Sequence, residues 1–325
     1  MPVDAGRRLQ ELERAGALRL PLPGGGATPA RLDALWSLAA QEDLSVARLA
    51  EAHTDAVAVL AEAGHAAPDG ALLGVWAANR SAAPVTAELV DGTWRVRGTK
   101  AFCSGVTILD AALVTAGTDD GEQLLVVPLR RGGVRTDTSI WRTAALAATA
   151  TGNVDLDLTL PLDAAVGGPG FYVDRPGLWH GAIGVAACWA GGAAGLAATV
   201  RAGVGENDRH ALAHLGAIES ALWGMRAVLA DVACAIDADP DDDRGIGFPR
   251  ALMVRHLVAE HCGTVLDRAD RALGPGPLAF DAAYAQRAMD LRLYIQQHHY
   301  ERDLETIGRD RRGECGTDPA GTSGA

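Results

Sequence analysis

The residues that could carry chemistry by type alone are five cysteines, one acidic run and one glycine-rich run. The cysteines, at positions 103, 188, 234, 262 and 315, show no metal-binding spacing, so we interpret them as reduced thiols. The acidic run at 239–243 (DPDDD) lacks the glycine and terminal glutamate of a calcium loop, which predicts a solvated loop. The glycines at 191, 192 and 195 follow no strand, so they predict close helix packing rather than a phosphate loop. We therefore expect no metal site.

Composition argues against two classes of partner. The chain has 29 Lys and Arg against 41 Asp and Glu, a net charge of −12, so we expect no nucleic-acid binding. Its most apolar segment, 181–200, is mostly Ala and Gly, which predicts a packed soluble helix rather than a membrane span. The polar N-terminus predicts no signal peptide. Together with the reduced thiols, these features predict a cytoplasmic protein.

Residue patterns predict helices first and strands second. Apolar residues recur at helical spacing over 28–63, after a short helix at 7–17, which predicts an N-terminal helical domain over residues 1–68. Alternating residues on both sides of Asp-Gly at 91–92 predict a tight hairpin. Further short strands extend this pattern and predict a small β-barrel or sandwich over residues 69–168.

Long helices return in the C-terminal half. Their periodicity predicts a four-helix bundle over residues 169–309, followed by a disordered tail at 310–325. The fold class is therefore predicted to be α+β, with helices, a β domain and a bundle in that order. The predicted bundle helices are 176–203, 209–236, 247–273 and 279–307.

The hairpin also carries the most specific motif of the chain. Its second strand reads GTWRVRGTKAFCSG and contains the only lysine, Lys100. This resembles the "G-x-y-x-l-x-G-x-K" hairpin of the acyl-CoA dehydrogenase superfamily, which leads into a "W-I-T/S-x-G"-like strand end. Phe102, Cys103 and Ser104 stand at the aromatic, apolar and hydroxyl positions. The order of domains agrees with that family over roughly residues 8–309.

The resemblance implies an FAD flavoprotein whose flavin ring lies between the β domain and the bundle. In this family the strand-end hydroxyl donates toward flavin N5, where negative charge accumulates during reduction. The family's "T-E-x-x-x-G-S-D" loop contacts the flavin through its backbone, and here that loop reads WAANRSA. The expected flavin contacts are therefore Trp76, Ala77, Ala78, Phe102, Cys103 and Ser104.

The family's reaction removes the α-proton of an acyl thioester while hydride passes to the flavin. A carboxylate suits this step, because burial can raise its pKa toward neutrality. The position of the usual glutamate falls here at His298, and Glu301 follows three residues later, almost one helical turn. The matching stretch of the first bundle helix, 182–192, contains no carboxylate. His298 and Glu301 are therefore the candidate catalytic residues.

Three interpretations remain open. The chain is a divergent dehydrogenase of acyl-CoA or a related substrate, with His298 or Glu301 as the base. Alternatively, it resembles the flavin monooxygenases of the same fold, which use a strand-end serine and a C-terminal histidine, here Ser104 and His298. As a third interpretation, it is a non-catalytic partner subunit that keeps the fold.

The resemblance also implies protein partners. Arg209 stands where family members carry an arginine that reaches the FAD of a neighbouring subunit, and the bundle forms the oligomer core in the family. We therefore expect a homodimer or tetramer, or a hetero-oligomer with a related subunit, together with an electron acceptor or flavin reductase. The family has about 50 more residues of N-terminal helix than this sequence. We expect their loss to open the site or to leave an apolar face for a partner.

Overall fold

A computed structural model describes residues 4–78 and 81–312 of the chain. Within these residues helices come first, strands second and helices again last, as the sequence patterns predict. The N-terminal helices are α1 (Ala5–Arg14), α2 (Thr28–Gln41) and α3 (Leu44–Glu62). Helix α3 begins at an Asp43 cap, whose carboxylate accepts a hydrogen bond from the Ser45 amide at 2.8 Å.

The β region is a single eight-stranded sheet, which agrees with the predicted compact β module. The strands are β1 (Leu73–Trp76), β2 (Thr86–Val90), β3 (Thr93–Cys103), β4 (Ala111–Thr118), β5 (Gly121–Pro128), β6 (Val134–Asp137), β7 (Gly152–Pro161) and β8 (Ala165–Val166). In sheet order they are β6, β7, β3, β2, β4, β5 and β8, and β1 pairs with β4 in parallel. The predicted hairpin is confirmed, because Asp91 and Gly92 both have positive φ angles, 50° and 75°, between β2 and β3.

The C-terminal helices are α4 (Phe171–Asp174), α5 (Gly177–Gly203), α6 (Arg209–Asp237), α7 (Gly247–Leu273), α8 (Pro275–Phe280), α9 (Ala282–Tyr294) and α10 (Glu301–Arg311). Helices α5, α6, α7 and α9 pack together with α2 around the largest hydrophobic core of the described chain. Helix α5 is the one described helix long and apolar enough to cross a membrane, and 72% of its most apolar window is buried in the protein. A side chain at Gly191 would collide with the backbone of Trp36, so this glycine permits close helix packing.

The prediction of one helix over 279–307 is wrong. Helix α9 ends at Tyr294, a short 3-10 turn follows, and His298 has extended backbone angles before α10 begins. Tyr300 has a φ of 43°, which a continuous α-helix does not allow. Helix α10 also includes residues 310 and 311 of the predicted tail, whereas residues 313–325 lie outside the described part of the chain. The break turns the segment around His298 back against α7.

Candidate functional site

The ends of β1 and β3 lie side by side at one edge of the sheet. The indole N–H of Trp76 donates a hydrogen bond to the backbone oxygen of Ser104 at 3.0 Å. Trp76 and Ala78 are buried, and Ala77 between them is half-buried. The structure therefore brings together two segments that the sequence predicted as flavin contacts. Residues 79 and 80 of the predicted loop lie outside the described chain.

The three motif residues at the end of β3 differ sharply in exposure. Phe102 is 56% exposed and has a φ of 57°, and it lies within the irregular pairing between Lys100 and Cys103. Cys103 is fully buried, and burial raises the pKa of its thiol well above the ordinary value, which makes it unreactive. Ser104 is half-buried. Only the aromatic ring and the hydroxyl are thus presented to a bound molecule.

The Ser104 hydroxyl belongs to a short chain of hydroxyl groups. Thr151 donates a hydrogen bond to Ser104 Oγ at 3.0 Å, and the hydroxyls of Thr151 and Thr149 are 2.7 Å apart. Each hydroxyl carries one proton, so the chain has two orientations. Ser104 can donate outward when Thr151 donates to it, whereas its O–H points to Thr151 when Thr149 donates to the backbone oxygen of Leu146, 2.7 Å away. Both threonines are buried, so the hydroxyl chain fixes the position of Ser104.

A cavity of about 210 Å³ lies next to these strand ends. Ala77 lines it, which places the cavity one residue away from Trp76 and its contact with Ser104. Part of the wall is apolar and comes from β1, α4, α5 and α7: Val75, Tyr172, Leu178, Trp179, Val185 and Leu252. The rest is charged and comes from α3, α7 and α10: Arg48, Glu51, Asp55, Arg255, Arg302 and Asp303.

Two carboxylates of the cavity wall, Glu51 and Asp55, stand one turn apart on α3. Glu51 is 4% exposed, and Arg48 donates a hydrogen bond to one of its oxygens at 2.8 Å. Burial raises the pKa of Glu51 to about 7; the positive charge of Arg48 opposes this shift and the carboxylate of Asp55 adds to it. The sequence analysis missed both residues. The available signal was an acid at position 51 directly after the apolar Leu49 and Ala50 of the predicted helix.

His298 is fully buried and lies between two titratable side chains. Its Nδ1 is 2.9 Å from Asp303 Oδ2, and its Nε2 is 3.0 Å from Nδ1 of His256. Burial raises the pKa of Asp303, but the contacts with His298 and His299 outweigh it and hold that pKa well below the ordinary value. Asp303 lines the cavity and His256 is half-buried. The three side chains form a continuous polar connection away from the cavity wall.

Two further predicted residues lie away from the cavity lining. Glu301 is exposed at the first turn of α10. Arg209 is exposed at the first turn of α6, next to the Asp208 cap. The structure thus joins Trp76, Ala77 and Ser104 into one site, and connects His298 to its wall through Asp303. It does not bring Glu301 or Arg209 to the same place.

Comparison with known proteins identifies the fold. No protein-family model matches the sequence, and no curated protein matches it. The structure is similar to FMN-bound TdsC, a dibenzothiophene monooxygenase from Paenibacillus sp. A11-2, with 18% identity, a TM-score of 0.82, and 95% of this chain and 90% of that chain covered. The same protein has been solved with FMN and indole.

Two other solved structures share the arrangement. KijD3, in complex with FMN and dTDP-3-amino-2,3,6-trideoxy-4-keto-3-methyl-D-glucose, has 16% identity and a TM-score of 0.82, covering 95% of this chain and 87% of that chain. A nitrososynthase from Micromonospora carbonacea var. africana has 18% identity and a TM-score of 0.78, covering 93% and 88%. At these identities the likeness establishes the fold. The predicted α+β, acyl-CoA dehydrogenase-like fold is confirmed.

Proposed function

We propose that this protein is a flavin-dependent oxidoreductase that oxygenates a small molecule. The observation that carries the proposal is the position of the cavity, which is lined by Ala77 beside the paired strand ends of Trp76 and Ser104. A flavin against the strand ends would then face a substrate in the cavity. Similarity of fold to the FMN-bound structures supports the same arrangement.

The residues at the strand ends fit a flavin ring. Phe102 offers an exposed aromatic face for packing, and Ser104 offers a fixed O–H donor for negative charge on the ring. The adjacent backbone of Ala77 and Ala78 can approach closely, because neither side chain extends beyond Cβ. A bound flavin would supply the redox chemistry, which none of these side chains can supply.

Neither base that the sequence predicts for an α,β-dehydrogenation lines the cavity. Glu301 is exposed away from it, and His298 is held between Asp303 and His256. His298 instead connects the cavity-lining Asp303 to a half-buried histidine, a route by which protons can be exchanged with the surroundings of the site. An apolar wall with a charged side suits a small amphipathic molecule.

Dehydrogenation of an acyl thioester is the second candidate. One observation favours it: Glu51 places in the cavity a carboxylate whose pKa is raised to about 7. Such a group can remove a weakly acidic proton near neutral pH. The base would then come from α3, and neither predicted position, His298 or Glu301, would supply it.

The visible spectrum of the purified protein tests flavin binding. A flavoprotein shows absorption bands at about 370 and 450 nm, either as isolated or after loading with FMN or FAD. Release and chromatography of the bound flavin then identifies it as FMN or as the FAD predicted from the sequence. A colourless protein that takes up neither flavin would contradict both enzymatic candidates and support a non-catalytic subunit.

Two assays separate the candidate reactions. With a flavin reductase, reduced flavin and oxygen, a monooxygenase yields a product that has gained one oxygen atom, detected by mass spectrometry for indole as the first probe. A dehydrogenase instead loses its flavin absorption at about 450 nm when it is mixed anaerobically with acyl-CoA, because the substrate reduces the flavin. Sedimentation measurements on the same samples test the proposed dimer or tetramer.

A further inference from the structure

We propose that Glu51 is the proton acceptor of the cavity and that the substrate presents an N–H or O–H group to it. The proposal rests on the proposed function in one respect, namely that the cavity holds the substrate. It adds a catalytic residue and a chemical class of substrate. Neither follows from the motifs at the strand ends.

The position of Glu51 supports this role first. Glu51 lines the cavity from the middle of α3, together with Asp55 one turn later. It is nevertheless only 4% exposed. Arg48 hydrogen-bonds to one oxygen, Oε2, at 2.8 Å. This bond orients the carboxylate and leaves Oε1 to accept a hydrogen bond from a molecule in the cavity.

Two other charged groups of the wall are engaged within the protein, whereas the buried Oδ1 of Asp55, one turn from Glu51, accepts no hydrogen bond within the described chain. Arg255 donates to the backbone oxygens of Ala182 and Gln297 at 3.0 and 2.9 Å. Asp303 accepts a hydrogen bond from the His299 amide at 3.1 Å and contacts His298. A substrate with a polar hydrogen therefore finds its acceptors on α3, at the Glu51–Asp55 pair, in which Glu51 is the carboxylate that Arg48 orients.

Charged and titratable groups on several helices shift the pKa of Glu51. Burial raises its pKa to about 7, with Arg48 acting against this shift and Asp55 in its favour. At neutral pH the carboxylate is thus partly ionised, and the ionised fraction that accepts a proton grows as the pH rises. The other groups that interact with it electrostatically are Arg31 on α2, Tyr172 on α4, Cys188 on α5, Arg255 on α7 and Tyr294 on α9.

The step itself is a proton transfer. The N–H or O–H bond of the substrate breaks, its electron pair stays on the nitrogen or oxygen, and the proton binds to Oε1 of Glu51. No oxidant is consumed in this step. The more electron-rich heteroatom or ring is then the form that reacts, which suits oxygenation of alkylammonium ions and phenols. An N–H heteroaromatic ring is too weakly acidic to lose its proton to a carboxylate and instead donates a hydrogen bond to it.

Two measurements on the full-length protein test the role of Glu51, and the first requires no flavin. Carbon-13 NMR of protein labelled at the glutamate side-chain carboxyl should show one resonance that titrates near pH 7. The resonance should be absent in Glu51→Gln and present in the control Glu88→Gln, whose residue is exposed on β2. A wild-type protein in which all glutamates titrate near their ordinary values would overturn the proposal.

The second measurement compares binding of indole with binding of 1-methylindole, which lacks the N–H, by calorimetry. We expect wild type to prefer indole about fivefold at pH 8, the effect of one net hydrogen bond, and to lose this preference as the pH falls to 6. Glu51→Gln should bind both probes alike at either pH. An equal affinity of wild type for the two probes overturns the role of Glu51 alone, whereas a failure of both to bind also contradicts the cavity as the substrate site.

Discussion

The two sides of the candidate site are formed by chemically different groups. The strand-end side consists of backbone, an aromatic ring and a chain of hydroxyls around Ser104 and Thr151, supported from within the sheet by the buried Lys100. The helical side consists of carboxylates, guanidinium groups and histidines that contact one another. A neutral surface with fixed donors suits a ring that changes charge, and a charged wall suits proton transfer. The roles proposed for the two sides, flavin binding and proton transfer, follow from this contrast.

The largest expected effect concerns the strand-end side, whose framework depends on Lys100. Its buried ammonium donates to the backbone oxygen and the hydroxyl of Thr115 at 2.8 and 2.7 Å. We expect Lys100→Ala to lower the free energy of unfolding by about 3 kcal/mol, because it leaves a cavity and loses these bonds. Urea denaturation measures the change. A loss under about 1 kcal/mol would show that the lysine does not hold the sheet edge.

On the helical side, His298→Ala should lower the free energy of unfolding by about 2 kcal/mol at neutral pH. The contacts with His298 and His299 lower the pKa of Asp303, so their stabilising contribution is complete above the ordinary carboxylate pKa and is lost progressively as pH falls from that value through the lowered pKa. The difference between wild type and variant should therefore begin to shrink below about pH 4 and keep shrinking toward pH 2. A difference that stays constant between about pH 5 and pH 2 would contradict the contact between His298 and Asp303.

A smaller effect is expected at the flavin contact itself. Ser104→Ala removes one donor and leaves the Thr151 hydroxyl without its acceptor. We expect flavin affinity to fall about fivefold, the value of one net hydrogen bond. Titration monitored by flavin fluorescence measures this, with Thr107→Ala, exposed beyond the strand end, as the matched control. Equal affinities for all three proteins would remove Ser104 from the flavin site.

The smallest effect is expected for Glu301→Gln. The side chain is exposed at the first turn of α10, so we expect the free energy of unfolding to change by less than about 0.5 kcal/mol. Thermal unfolding monitored by circular dichroism provides the check. A loss above about 1 kcal/mol would mean that Glu301 contacts the wall of the site and belongs to its charged helical side.

The sequence predicted the strands and the hairpin of the strand-end side because their signals are local. Residue alternation and the Asp-Gly turn determine the register of β3 as far as Lys100, whose side chain is buried. The irregular pairing after Lys100, which buries Cys103 and exposes Phe102, was not predicted. The helical side depends on packing between distant segments. The burial of Glu51 needs the sheet and the bundle on both sides of α3, which no local pattern records. Likewise, the apolar spacing through residues 279–307 continues across the turn at Ile295, so the break before His298 was not predicted.

The central claim is that the neutral strand ends hold a flavin while the charged wall faces the substrate. Equilibrium titration of the purified chain with FMN tests it most directly, using wild type, Phe102→Ala and Glu51→Gln. We predict binding of one flavin per chain, weakened about tenfold by the loss of the exposed Phe102 ring and unchanged by Glu51→Gln. If wild type binds no flavin, or if Glu51→Gln weakens binding while Phe102→Ala does not, the account is contradicted.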